Sequence, residues 1–370
     1  MIDTEHIAQT EPESAEPEAV EPQITRFDNA GDLRLLVWDQ TPEAVQRVFI
    51  VSSKAMSMAC VAWNSMLNGS FKEAQPTSGE REVELPDDDP AALEVLLNIA
   101  HLRFDWVPSW LYFNVLLQVT VLTDKYDMTR LIRPWATSWF QTAQRLVSVT
   151  QSGYEEWLWI AWELGQTHTF ETLATHLVKS VRVDNNGNCT TNTGKLLDPC
   201  RSTGQQFPPG IIESLQQARL KVISDLLEIY YSTLDKFIGQ NLVGSSICQG
   251  TLNDRGHRQE CDELTFGSLS FALRRAGFSL QRVYAPVITN SVDELLVRLR
   301  SITVNSYHTP TPSTASLALF PGRMDECANC RLNNQLTEAV GRVENSIPSA
   351  VTDVHRDHLT RQAKKLGYTS

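Results

Sequence analysis

The residues in this chain best suited to chemistry are its cysteines. There are seven: Cys60, Cys189, Cys200, Cys248, Cys261, Cys327 and Cys330. Cys327-Ala328-Asn329-Cys330 is a C-x-x-C turn. Such a turn sets two thiolates on one side of a tetrahedral ion, which suits zinc. A closed site needs two more ligands. Cys248 and Cys261 lie upstream with His257 between them, and His308 precedes the turn. The expected set is Cys248, Cys261, Cys327 and Cys330 around a structural zinc, with His257 or His308 as alternative ligands. The spacing is not that of a standard finger, which repeats C-x-x-C. The competing reading is reduced, unconnected thiols in loops and core. A redox C-x-x-C is disfavoured because no βαβ pattern surrounds the turn.

Little else could be catalytic. The chain has no G-x-x-x-x-G-K-[ST], no H-E-x-x-H, no G-x-S-x-G, and no G-x-G-x-x-G after a strand. Asp87-Asp88-Asp89 stands before Pro90 and reads as the start of a helix, where carboxylates complement the dipole. No nucleophile, base and oxyanion arrangement can be assembled, so the chain is not expected to be an enzyme.

These residues must be positioned by a chain of 370 residues, long enough for two or three domains. Its net charge of −12 and pI near 5.2 lack the basic footprint of nucleic-acid or anionic-membrane binding. Arg274-Arg275, Arg298-Leu299-Arg300 and Lys364-Lys365 read as solvated helix faces. No run is apolar enough to span a membrane. Residues 1–26 hold seven acidic residues and three prolines without an apolar stretch, so they read as a disordered acidic tail and not a signal peptide. A protein inside the cell, in nucleus or cytoplasm, is expected.

Apolar alternation predicts strands over 33–38, 47–51 and 81–85. The first two form a hairpin. Ser52 or Ser53 caps a helix through Met56 and Cys60, and a second helix covers Val61 to Leu67 before Asn68-Gly69 stops it. Asp89 caps a helix with Pro90 in its first position. Ser109 and Thr129 are read as caps of two further helices. Loops are expected near 184–209, 239–260 and 306–325. A long amphipathic helix starts at Ile211, and shorter ones cover Asp262 to Arg275, Ser291 to Leu299, and parts of Cys330 to Gly367. Seven of the nine tryptophans fall between Trp106 and Trp162, which predicts an aromatic core layer. The fold class is therefore α+β: a small N-terminal sheet covered by helices, then a mainly α-helical region over 146–370.

Several passages appear together in order. They are Gly31-Asp32-Leu33, Phe49-Ile50-Val51-Ser52-Ser53-Lys54-Ala55-Met56, Phe71-Lys72-Glu73 and Arg81 through Leu93. Leu122-Thr123-Asp124-Lys125-Tyr126-Asp127 and Leu131-Ile132-Arg133-Pro134-Trp135 follow. Through them the stretch from Gly31 to Phe140 resembles the BTB/POZ family, in the branch found in filamentous fungi, with a domain over 27–145. Where many animal members have a histidine before the lysine, this chain has Ser52-Ser53, so functions tied to that histidine are not carried over. The resemblance implies a protein–protein interaction adaptor that forms a homodimer. In some members a hydrophobic-x-Glu motif after the second helix docks a cullin-type ubiquitin-ligase scaffold. Phe71 and Glu73 match that motif and are the expected partner-binding residues. The alternative implied role is a transcriptional or chromatin cofactor.

Overall fold

A computed structural model describes residues 22–39, 45–69, 81–198, 205–243, 245–249, 255–306 and 327–368. The expected partner residues Phe71 and Glu73 lie outside the described residues, as do Cys200 and His308. His257 lies in a helix, but its side chain is outside the described set.

The chain is an α+β protein that divides into two compact units. One runs through Ser109 and adds Leu122–Ile132. The other holds Trp110–Val121 and everything from Arg133 onward.

The first unit is built on a mixed sheet of four strands: β1 (Gln23–Arg26), β2 (Leu33–Trp38), β3 (Gln46–Val51) and β4 (Arg81–Leu85), in the order β1-β3-β2-β4. β2 and β3 form the expected antiparallel hairpin, with Leu35 opposite Phe49. β4 runs parallel to β2, and β1 parallel to β3. Period-two geometry explains β2: Leu33, Leu35 and Val37 are buried while Arg34 and Trp38 are half-exposed. Arg34 pairs across the sheet with Glu82 at 2.8 Å. β1 corrects the expected tail, since its residues lie within 1–26. Its ladder comes from β3, a long-range pairing that the local pattern Gln-Ile-Thr-Arg does not signal.

Helices α1 (Ser53–Ala59) and α2 (Val61–Asn68) follow β3. Of the two candidate caps, Ser52 accepts from the Ala55 N–H, while Ser53 donates through both N–H and hydroxyl to Asp32. Helix α3 (Pro90–Ala100) begins as expected, with Asp89 accepting from the Ala92 N–H at 2.8 Å. It buries Leu93, Leu96 and Leu97 at the centre of the unit.

In the second unit, α4 (Phe113–Lys125) contributes its residues up to Val121. It starts four residues after Ser109, so Ser109 is not its cap. Helix α5 (Arg133–Leu146) likewise begins beyond Thr129. Next come α6 (Trp157–Glu163) and α7 (Thr167–Ser180). Every residue of α6 is buried. Trp157 packs with its ring centre 5.1 Å from Phe113 and 5.7 Å from Phe140. The aromatic layer is thus core at Trp139, Trp157, Trp159 and Trp162, whereas Trp106 and Trp110 are exposed.

A short ladder of β5 (Arg182–Val183) and β6 (Cys189–Thr190) interrupts the expected 184–209 loop. Helix α8 (Ile211–Val243) is the spine of this unit and packs against α7, α9 (Arg255–Arg275), α10 (Val292–Arg300) and α11 (Leu332–Asn345). Buried Arg219 on α8 donates to the carbonyls of Ile288 and Asn290, and Tyr230 donates to Leu299 at 2.9 Å. Helix α12 (Asp353–Leu366) closes onto α5, α6 and α7. The expected 239–260 loop is shorter than foreseen, because α8 runs to Val243 and α9 starts at Arg255. Most of the expected loop near 306–325 lies outside the described residues. Among the described residues, no helix is long and apolar enough to cross a membrane.

Candidate metal centre

Three segments of the second unit deliver four cysteines to one place. Cys248 lies in the connection after α8, Cys261 in the second turn of α9, Cys327 just before a 3-10 turn and Cys330 at its end. The Cys330 N–H donates to the Cys327 carbonyl at 3.1 Å, which closes that turn and brings its sulfurs together. All four side chains are at most 4% exposed and form one cluster.

Part of the sulfur spacing fits a tetrahedral ion: Cys261 to Cys330 matches it, Cys327 to Cys330 is shorter, and Cys327 stands outside the set whose sulfurs all lie within 4.8 Å of one another. With zinc–sulfur bonds of about 2.3 Å, neighbouring sulfurs of a tetrahedral site stand about 3.8 Å apart. Here Cys261 Sγ lies 3.7 Å from Cys330 Sγ, and Cys330 Sγ lies 3.2 Å from Cys327 Sγ. The sulfurs of Cys248, Cys261 and Cys330 all lie within 4.8 Å of one another. These separations far exceed the roughly 2.05 Å of a disulfide, and the cysteines are free thiols. The buried Cys248, Cys261 and Cys330 cluster can hold a metal such as zinc. The soft thiolate set favours zinc over magnesium or calcium, which prefer oxygen.

The cluster is electrostatically uneven. Burial works against ionising Cys327, but the Gln249 N–H (3.3 Å from its sulfur), the Cys330 side chain and the N–H groups of Cys330 and Asn329 hold its thiol below the ordinary range. Cys330 is pushed up, first by its hydrogen bond with Cys261, then by burial and by contacts with Cys327 and Cys248. A divalent cation at the centre would favour the thiolate form throughout.

The surrounding groups tie the segments to one another. Asn329 donates from Nδ2 to the Ile247 carbonyl at 3.3 Å, and the Ser306 hydroxyl donates to the Cys330 carbonyl at 3.1 Å. Asp262, beside Cys261, accepts from the Ser246 hydroxyl and from the Ile247 and Cys248 N–H groups. Sequence reasoning brings forward the four cysteines. It misses Asp262, Ser246, Gln249, Asn329 and Ser306, whose roles depend on backbone groups of distant segments and leave no spacing signal. The other two described cysteines stand apart from the cluster. Cys60 caps α2 through its sulfur, and Cys189 sits in β6; burial pushes both thiols up.

The first unit carries a second feature with binding character. A cleft of about 900 Å³ lies beside α1, lined by Phe27, Lys54, Met58, Leu102, Arg103 and Leu131 among others. Of its lining, Met58 is 76% and Leu102 74% exposed; Trp106 and Val61, the latter the first residue of α2, are also exposed but do not line the cleft. The Arg103 guanidinium lies 5.3 Å from the Trp106 ring centre and 5.1 Å from that of Phe27. Compared with known proteins, the chain matches no family model, no curated protein and no solved structure.

Proposed function

We propose that the chain is a protein-interaction adaptor that joins copies of itself through a BTB/POZ-type N-terminal unit, with a structural zinc holding its helical region together. The element order supports the first part. A hairpin is followed by two short helices, a strand parallel to the first hairpin strand, and a helix capped by Asp89. The apolar cleft carries the functional reading. Met58 and Leu102 line it and together expose more apolar side chain than a lone surface residue would. The fitting occupant is a second copy. Its lining holds Arg26, Lys54 and Arg103 together with Asp28, so both signs of charge border one apolar patch. A two-fold contact buries the same apolar patch of both copies at once, which is what an isologous dimer requires.

Sedimentation velocity of the full chain at micromolar concentration tests this reading. The wild type should sediment as a dimer, and Met58→Asp with Leu102→Asp as a monomer. A wild type that stays monomeric would sink it. The more specific version is a substrate adaptor for a cullin-type ligase that uses Phe71 and Glu73. Affinity capture should then recover a cullin, and Phe71→Ala or Glu73→Ala should lose it without loss of fold. Repeated capture without a cullin removes that version and leaves the self-association reading standing.

The zinc proposal extends the three-sulfur cluster to all four cysteines, with Cys327 as the fourth ligand. A closed four-thiolate site leaves no open position for substrate, which is the pattern of a structural and not a catalytic zinc. The ion would clamp the turn at Cys327–Cys330 to α9 and to the Cys248 connection, and so fix where α11 begins.

A further inference from the structure

We infer that Asp262 is the positioning residue of this centre: it holds the Ser246–Cys248 connection in the shape that aims Cys248 at the metal. The inference rests on the zinc reading and adds a residue that is not itself a ligand.

Asp262 is 4% exposed. Both of its oxygens are already engaged. Oδ1 accepts from the Cys248 N–H at 2.9 Å; Oδ2 accepts from the Ile247 N–H at 2.8 Å and from the Ser246 hydroxyl at 2.5 Å. These three donors take most of the carboxylate's acceptor sites, and Asp262 is not among the side chains whose ligand atoms gather within 4.8 Å of one another. Its charge offers nothing to a dianionic four-thiolate zinc, since like charges repel. Its contribution must therefore be geometric.

The geometry shows what that contribution is. Asp262 follows Cys261 on α9, so the helix fixes the carboxylate and one ligand together. Three donors of the connection converge on that carboxylate. They include the backbone N–H of Cys248 itself, which sets the direction in which its Cα–Cβ bond leaves the chain. The next N–H, that of Gln249, then points at Cys327 Sγ. One side chain thus registers Cys248 against Cys261 and, through Gln249, against Cys327. Cys248 has no helix or tight C-x-x-C turn to orient it, so it is the ligand that depends most on such a brace.

Removal of an outer-sphere partner of this kind typically weakens metal affinity about 10- to 100-fold. The test uses full-length protein, zinc competition against a chromophoric chelator, and cobalt(II) as a spectroscopic probe. Wild type should bind one zinc, and its cobalt form should show the charge-transfer and d–d bands of a tetrahedral four-thiolate site. Asp262→Ala should bind zinc about 10- to 100-fold more weakly, with cobalt spectra that lose one thiolate as Cys248 drifts away. Asp262→Asn keeps one acceptor oxygen and should fall between the two. Ser246→Ala removes the hydroxyl that bonds Asp262 and also lies 3.2 Å from the Arg258 carbonyl, keeps the carboxylate, and supplies a milder variant if Asp262→Ala does not fold. Asp262→Ala and Ser246→Ala with wild-type affinity and spectra, alongside a Cys248→Ser that loses the four-thiolate signature, would overturn the role of Asp262 alone. A wild type that takes up neither zinc nor cobalt would overturn the metal reading, and this inference with it.

Discussion

Replacement of Asp88 by alanine should loosen the first unit by about 3 kcal/mol. The carboxylate is fully buried in the turn between β4 and α3. One oxygen accepts from Lys125 Nζ at 2.6 Å and the other from the Tyr126 hydroxyl at 2.5 Å. The two partners are unequal. The Lys125 side chain is 42% exposed, so water and salt screen its charge and the pair contributes about 0.5–1 kcal/mol. The Tyr126 hydroxyl is buried, and a hydrogen bond to a carboxylate contributes about 1.5–3 kcal/mol. Burial and the Asp88 charge together hold that phenol protonated far above its usual range. Without Asp88 the hydroxyl has no acceptor, and its ring, 4.9 Å from that of Trp63, cannot leave without opening the core. The costs should rank Asp88→Ala above Tyr126→Phe above Lys125→Ala, at about 3, 1.5 and 0.5–1 kcal/mol.

Amide hydrogen exchange read by mass spectrometry on peptides from β4 and α3 measures this locally, so unfolding of the second unit does not enter. An opening free energy lowered by about 3 kcal/mol speeds exchange there by about 100-fold. Tyr126→Phe should give about tenfold and Lys125→Ala less than fivefold. Two results would refute the reasoning. One is an Asp88→Ala acceleration below tenfold. The other is a Lys125→Ala effect larger than that of Tyr126→Phe, which would mean that Coulomb attraction and not the buried hydrogen bond holds the turn.

Two further predictions concern the helical unit. Gly165 has φ +62°, and a Cβ there would run into the backbone N and Cα of Ala363 on α12. Gly165→Ala should cost about 3 kcal/mol by combined strain and overlap. Gly187 also has positive φ but open space around it, so Gly187→Ala should cost only about 1 kcal/mol; comparison of the two melting temperatures separates strain from collision. His358 stacks on Trp162 with ring centres 3.7 Å apart, and burial, reinforced by Arg361 and Lys365, pushes its pKa down to about 4. The unfolded chain takes up this proton first, so the stability it confers is complete above pH 6.5 and falls as the pH drops toward 4. Glu294, held near 2 first by its bond to Arg182, loses its contribution only below its ordinary value of 4.5. Between pH 7 and pH 5 the melting comparison reads the buried histidines together, since burial also pushes His101 and His176 down, and the difference between wild type and variant isolates His358. His358→Gln should flatten the drop, and an unchanged drop would reject the assignment.

What the sequence conveys about this fold depends on how local each signal is. β2, β3 and β4 are read within a residue because alternating burial writes itself into Leu33, Leu35, Val37 and their neighbours. The Asp89-Pro90 start of α3 and the Ser291 cap of α10 are equally local. β1 escapes because its partner is more than twenty residues away and its own residues are mostly exposed. The first turns of α9, Arg255-Gly256-His257-Arg258, carry no apolar period and a glycine, so they resemble a loop. The candidate centre shows the same contrast. Cys327 and Cys330 announce themselves by spacing. Cys248 and Cys261 come forward only as leftover candidates in a count, and Asp262 gives no signal because its partners are a hydroxyl and two backbone N–H groups of a folded connection.

The proposed metal centre rests on four buried cysteines that share one cluster, and metal content tests it most directly. Full-length protein purified without chelator should carry one zinc per chain by elemental analysis. That zinc should be lost in Cys327→Ser with Cys330→Ser, and thiol titration should show the four cysteines protected until it is removed. Wild-type protein that is folded, with the α+β circular dichroism of this structure, and free of zinc would contradict the account.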